Sequence, residues 1–239
     1  MRSPRQQGFT LVELSIVLVI VGLILGGVMV GRSMIRSSQV GKIGQDLQAY
    51  EAATQMFIDK YQGLPGDMTN ATTFWTGAVN GNGDGLINVS DESFRSWQHL
   101  TSAGLIKGRF SGVTGSGSVT DFEPGNNVPR GPVSGTGYML FNLGTVTIGC
   151  DWWPYAYRNV LLYGKDSGTS YTYQAILTPA ELYAIDLKYD DGKPVTGIVF
   201  SGQKACATVN CTTTTDPATT DYNTSYQGEA CNLIYRLNV

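Results

Sequence analysis

From residue 9 to residue 31 the only charged side chain is Glu13, and charge resumes at Arg32. Leu, Val and Ile dominate this run. In lipid a single segment of that kind satisfies its backbone polar groups only as a helix. At about 1.5 Å per residue it spans roughly 34 Å, enough to cross a hydrocarbon core of roughly 30 Å. A lone carboxylate near the start of such a run is anomalous, because an ionised acid in hydrocarbon is costly and calls for a partner.

Ahead of the run lies a short basic leader, residues 1–8, with Arg2 and Arg5. The junction Gly8-Phe9, the following Thr10-Leu11-Val12-Glu13-Leu14 and the apolar helix together resemble the N-terminal signature of type IV pilins and of the pseudopilins of type II secretion. The resemblance covers the leader and the apolar helix, and leaves the rest of the chain to be read from its own residues.

The resemblance implies cleavage after Gly8 by a prepilin peptidase and N-methylation of the new terminus at Phe9. It implies storage as a single-pass inner-membrane protein with a periplasmic head, then transfer by an assembly platform into a helical filament. That filament is a periplasmic pseudopilus or an extracellular pilus, built of the same or related subunits. Phe9 and Glu13 are the implied assembly residues, with Glu13 pairing with the positive N-terminus of a neighbouring subunit. Such a buried pair is neutralised and held in register, and removing one member strands the other charge. A cleaved secretory signal requires a small-residue site after the apolar run, which Gly26-Gly27 serves poorly. Neither that nor an ordinary signal anchor accounts for Glu13. Major pilins, minor pilins and pseudopilins share the signature. The lack of proline between residues 9 and 37 leans towards a pseudopilin or minor pilin, whereas the size and complexity of the head lean towards a pilus-type subunit or minor component.

The formal net charge is −3, from 16 basic and 19 acidic residues. Loss of Arg2 and Arg5 with the leader leaves 14 basic residues and a net charge of −5. An acidic chain without a basic cluster is poorly suited to bind nucleic acid through phosphates. The sequence carries no assembled nucleophile, phosphate loop or acid/base carboxylate pair, and the expectation is a non-enzymatic protein. The alternative is an adhesive or DNA-uptake minor pilin whose head binds a ligand through its aromatic or Thr-rich loops.

Beyond Arg32 the pattern becomes amphipathic. Val40, Ile43, Leu47, Tyr50, Phe57 and Tyr61 recur at three- and four-residue steps, with Ala53 and Thr54 between them. Lys42, Gln45, Asp46 and Glu51 are assigned to other faces. One helix over residues 9–61 is predicted, its second half (residues 32–62) laying an apolar stripe on a head formed by residues 63–239. Gly63-Leu64-Pro65-Gly66 supplies the stop, with Gly63 as C-cap. Gly22, Gly26, Gly27 and Gly31 each weaken the first half by up to about 1 kcal/mol, or permit close helix contact.

Residues 80–92, NGNGDGLINVSDE, place oxygen side chains at positions 1, 3, 5, 9 and 12 of an EF-hand-type loop, with Gly85 at position 6. Calcium takes six to eight oxygens at about 2.4 Å. The expected ligands are Asn80, Asn82, Asp84, the Leu86 carbonyl, Asn88 and Asp91, with Glu92 adjacent. The loop is similar to that of dockerin modules, and calcium sites known in pseudopilin heads support the assignment. Few of these donors are charged, so affinity should be of the order of 10⁻⁴–10⁻³ M. The competing reading is a plain Asn/Gly turn.

A second helix is predicted over residues 91–106, capped by Ser90 or Asp91 and ended by Gly104. Phe94, Trp97, Leu100 and His99 read as core. Phe74 and Trp75 read as anchors of the loop before it. Strand patterns follow at 138–148, 159–164, 171–177, 196–201 and 232–237. Around Trp152 and Trp153 a sugar platform competes with core or subunit contact. Residues 178–188 form a short helix with Thr178 as N-cap, Pro179 at N1 and Glu181 at N3. Asp186, Asp190 and Asp191 read as a solvated acidic turn or a second metal group. Four cysteines in an exported chain favour disulfides, with three connectivities open. The pairing expected is Cys206–Cys211 and Cys150–Cys231. The fold class is α+β: a long N-terminal helix packed on an antiparallel sheet with short extra helices.

Overall fold

The computed structural model describes residues 10–89, 91–113, 121–145, 158–165, 174–202, 210–214, 216 and 218–239. They form an α+β arrangement. A long helix α1 (Leu11–Tyr61) precedes α2 (Glu92–Ser102), β1 (Thr136–Asn142), β2 (Asn159–Lys165), α3 (Pro179–Tyr189), β3 (Val199–Gly202) and β4 (Asn232–Arg236). The chain divides into two compact units, residues 1–39 and residues 40–239, and α1 contributes to both.

In the first unit α1 runs unbroken through Gly22, Gly26, Gly27 and Gly31. Every Leu, Ile, Val and Met of residues 11–35 is exposed. By length and composition this helix is apolar enough to cross a membrane.

In the second unit the amphipathic stripe meets the core. Ile43, Leu47, Ala53, Thr54 and Phe57 are buried, and Val40, Tyr50 and Tyr61 are partly buried against them. Burial of a side chain such as Phe57 contributes about 1.5–3 kcal/mol. Tyr50 packs edge-on to Trp97 and Tyr138, ring centroids 5.0 and 5.1 Å away. Gly44 is buried too, because the Tyr189 ring lies where its side chain would be: an added Cβ would sit 2.1 Å from a ring carbon.

Two acids assigned by periodicity to other faces turn out to hold the sheet. The Tyr138 hydroxyl donates to Asp46 Oδ2 at 3.0 Å, and the Tyr235 hydroxyl donates to Glu51. At the end of α1 the left-handed residue is Gln62 (φ 55), not Gly63. Its N–H donates to the Ile58 carbonyl at 2.8 Å, and a Cβ added to Gly63 would lie 3.2 Å from Met68 Cβ.

The sheet is antiparallel throughout, in the order β1-β2-β4-β3. Met139 pairs with Leu162, which pairs with Ile234, which pairs with Phe200. All of β1 and all but the last residue of β2 and of β4 are buried, so the sheet is covered on both faces. Within the segment expected as a strand at 171–177, Gln174 and Leu177 make isolated bridges to Lys165 and Cys231. The helix at Thr178 is as expected: a full capping box with Glu181, and Pro179 in the first turn.

The expected cysteine pairing is corrected. Cys211 bonds Cys231, with Cα atoms 5.2 Å apart, which excludes both Cys206–Cys211 and Cys150–Cys231. Leu177 bridges Cys231, while the Asn223 N–H donates to the Cys211 carbonyl at 2.9 Å. The Thr-rich segment therefore folds back and brings together cysteines that are remote in sequence. Cys150, Cys206, Trp152 and Trp153 lie outside the described residues.

Candidate functional site

At the start of α1, Thr10 and Glu13 form a reciprocal pair. The Thr10 N–H and hydroxyl donate to Glu13 Oε2 at 2.8 and 2.9 Å, and the Glu13 N–H donates to Thr10 Oγ1 at 3.3 Å. This is the geometry of a capping box, which satisfies donors that a helix start leaves open. Glu13 is thus held in place by its own chain, one turn from the junction. Gly8 and Phe9 lie outside the described residues.

The second candidate is a group of three carboxylates, Asp67, Asp84 and Glu92, with one oxygen of each within 4.8 Å of the others. Asp67 arrives from the turn after α1, Asp84 from the Gly-rich loop, and Glu92 from the first turn of α2. Asp67 Oδ1 accepts from the N–H groups of Gly83 and Asp84 at 2.6 and 3.2 Å, and its Oδ2 from Gly85 at 2.9 Å. Glu92 Oε1 accepts from the Asn82 N–H and Oε2 from the Asn88 N–H, both at 2.9 Å. Asp84 Oδ1 accepts from the Leu86 N–H at 2.9 Å, and its Oδ2 from the Asn82 side-chain amide at 2.9 Å.

Glycines make this wrapping possible. A Cβ on Gly81 would lie 2.3 Å from the Asp67 backbone. Gly83 and Gly85 take φ of 77° and 80°, where side chains are strained. The loop is then nailed to the sheet. The Ile87 N–H donates to Asn159 Oδ1 at 2.9 Å, and the Ile87 carbonyl accepts from the Asn142 N–H at 2.7 Å.

Of the expected ligands, Asp84 and Glu92 come together, and Asn82 bonds both, Asp84 through its side-chain amide and Glu92 through its backbone N–H. Asp91 turns to Arg95, with Oδ2 3.3 Å from Nη2, and it does not cap α2 with its side chain. Asn80 Oδ1 accepts from the Thr72 N–H at 3.0 Å. The Leu86 carbonyl accepts no hydrogen bond among the described residues, and Asn88 holds Glu92 through its N–H. Asp67 is absent from any loop-spacing pattern, because it lies well upstream. The one sequence signal for it is the Pro65-Gly66 turn that presents it.

The donors are all oxygen, which suits a hard cation and not zinc. Each carboxylate oxygen accepts about two hydrogen bonds, so all except Asp67 Oδ1 retain a free lone pair. No Lys or Arg is bonded to Asp67, Asp84 or Glu92 among the described residues. The donor set therefore fits a hard divalent cation, the class to which calcium belongs.

His99 positions the turn that carries Asp67. Its Nδ1 accepts from the Gly66 N–H at 2.9 Å, which leaves the proton on Nε2 to donate to the Val79 carbonyl at 3.1 Å. The Ser96 hydroxyl lies 2.9 Å from the Pro65 carbonyl and 2.7 Å from that of Glu92. A side chain on Gly66 would meet the Glu92 carbonyl at 2.2 Å. Burial lowers the His99 pKa to about 4, so the ring is neutral. Its role is structural.

The three acids at the end of α3 gather, with one carboxylate oxygen of each within 4.8 Å of the others, and of the three only Asp191 is exposed. Asp186 is fully buried, and Asp190 and Asp191 hold the chain into β3 through Val199, Lys193 and Thr196.

Residues 3–29 match the prokaryotic N-terminal methylation motif. No match was found among curated proteins or among solved structures. The chain therefore carries a type IV pilin-like signature over its first segment, and the apolar start of α1 fits membrane anchoring before assembly.

Proposed function

We propose that this chain is a structural subunit of a type IV pilus or of a type II secretion pseudopilus. It is stored in the inner membrane with its head in the periplasm, cut after Gly8 by a prepilin peptidase, methylated on Phe9, and assembled with other subunits. The observation that carries this reading is the coincidence of the methylation motif with the exposed apolar start of α1, whose single charge up to residue 31 is Glu13. Exposed apolar surface on this scale needs lipid or neighbouring helices as its partner. Glu13 registers each subunit against the terminus of the next. The head binds calcium through Asp67, Asp84 and Glu92, which ties the turn after α1, the Gly-rich loop and α2 into one piece.

The intact mass of the chain tests the reading when taken separately from sheared surface filaments and from membranes. A species lacking residues 1–8 and carrying one methyl group is expected. Abundance in the sheared fraction assigns a pilus, and confinement to membrane and periplasm assigns a pseudopilus or an initiating minor pilin. An uncut chain would overturn the processing and, with it, the filament role.

A further inference from the structure

A cleft of about 800 Å³ opens beside the end of α1, within the range of roughly 300–1,000 Å³ usual for ligand sites. Its walls come from the last turns of α1, the turn that follows, the Gly-rich loop, the start of β2 and the residues after β4. Most of the side chains that line it are polar, and Arg158 is the cation among them.

The place of Arg158 is set by its neighbours. Its carbonyl accepts from the Leu143 N–H at 3.1 Å. The next residue, Asn159, is spent on the Gly-rich loop, donating to the Gly85 carbonyl at 3.1 Å and accepting from the Ile87 N–H at 2.9 Å. A Cβ on Gly85 would lie 3.3 Å from Arg158 Nη2, so the loop leaves room for the guanidinium where a side chain would crowd it. Among the described residues that guanidinium makes no hydrogen bond or ion pair. The acid of the lining, Asp67, is buried and directs both oxygens to the N–H groups of Gly83, Asp84 and Gly85.

Neutral groups without a protein partner among the described residues share the cleft with Arg158: the hydroxyls of Tyr61 and Thr69, and the side-chain amides of Asn70 and Asn238. The Tyr61 ring packs against Phe57, Phe74 and Trp75, with centroids 4.8, 5.2 and 4.9 Å away, which fixes where its hydroxyl stands. These groups sort ligands by chemistry. The guanidinium fork matches a planar carboxylate through two parallel hydrogen bonds. Hydroxyls and amides both donate and accept, as the hydroxyls of a sugar do. Nucleic acid needs a run of cations along its phosphates and finds one here.

We propose that this cleft binds an acidic saccharide, with the carboxylate of the sugar on Arg158 and its hydroxyls on Tyr61, Thr69, Asn70 and Asn238. The site requires neither a cation at Asp67 nor assembly into a filament, because none of its binding groups takes part in either.

Calorimetric titration of the full chain in detergent tests this with two probes, a galacturonic acid trisaccharide and a sialylated lactose, each in calcium and in chelator. A neutral galactose trisaccharide and a glutamate peptide serve as competitors of other chemistry. Saturable binding of at least one acidic saccharide is expected, with the neutral one weaker by about tenfold or more. Arg158→Gln is expected to weaken binding by a similar factor and to leave the melting temperature unchanged, because the side chain is exposed. Asn238→Ala, also at an exposed position, is expected to weaken it severalfold. Failure of both probes in both conditions would overturn the site, as would undiminished binding in Arg158→Gln. Equal or tighter binding of the peptide would overturn the saccharide assignment in favour of an acidic protein partner. Titration in chelator keeps a failure of the Asp67 cation site from imitating any of these outcomes.

Discussion

The Tyr138 hydroxyl of β1 donates to Asp46 Oδ2 of α1 at 3.0 Å, and Lys42 pairs with the other oxygen of the same carboxylate. One acid thus serves the helix surface through Lys42 and the sheet through a buried tyrosine. Hydrogen bonds to charged groups contribute about 1.5–3 kcal/mol. Tyr138→Phe should therefore lower head stability by about 2 kcal/mol, read as a lower urea midpoint at constant slope. An unchanged midpoint would mean that the contact is incidental.

His99 makes the head acid-sensitive in a defined window. The unfolded ring takes up a proton near pH 6.5, the buried one only near 4. Stability contributed by the neutral ring is therefore present above pH 6.5 and lost as pH falls towards 4, by about 3 kcal/mol in all. Asp186 contributes the opposite slope, because its folded pKa is raised to about 7. The two are separated by comparing the parent with His99→Gln at pH 7, 5.5 and 4.5. The parent should lose more stability on acidification than the variant, and parallel losses would contradict the assignment.

Calcium should stabilise the head through Asp67 and not through Asp91. With a dissociation constant of about 1 mM, 10 mM calcium adds about 1.4 kcal/mol. A rise in melting temperature on adding calcium, reversed by chelator, is expected in the parent and in Asp91→Ala. It should be absent in Asp67→Asn. A parent melting temperature indifferent to both calcium and chelator would end the calcium assignment.

Glu13→Ala should leave membrane insertion intact and abolish incorporation into filaments, because the apolar run loses only its single charge. Thr10→Val removes one half of the capping box while keeping the carboxylate. It should reduce helicity at the start of α1 by a cap's worth, about 1 kcal/mol, with a milder assembly defect. Full incorporation of the Glu13 variant, scored in sheared filaments or pseudopilus preparations, would count against the registry role.

Local patterns read well where chemistry is local. The α1 stripe of Ile43, Leu47 and Phe57, the capping box of Thr178 and Glu181, and the core positions of Phe94, Trp97 and Leu100 depend on residues within a turn or two of one another. The same holds for the Gly-rich loop, whose turns follow from Gly83 and Gly85. Local pattern failed at Asp46 and Glu51. A helical wheel separates polar from apolar positions, but it does not foresee a tyrosine hydroxyl arriving from a strand.

The sequence by itself determined the apolar anchor with its lone Glu13, the long helix and the α+β class, because periodicity, composition and end signals act over short separations. Only the tertiary structure decided that Asp67 joins Asp84 and Glu92 while Asp91 turns to Arg95, that Cys211 finds Cys231, and that Asp186 is buried against Tyr222. Each of these, apart from the turn of Asp91 to its helix neighbour, is a choice of partner between remote segments. It is set by where the packed core returns the chain, and residue spacing carries no record of that return.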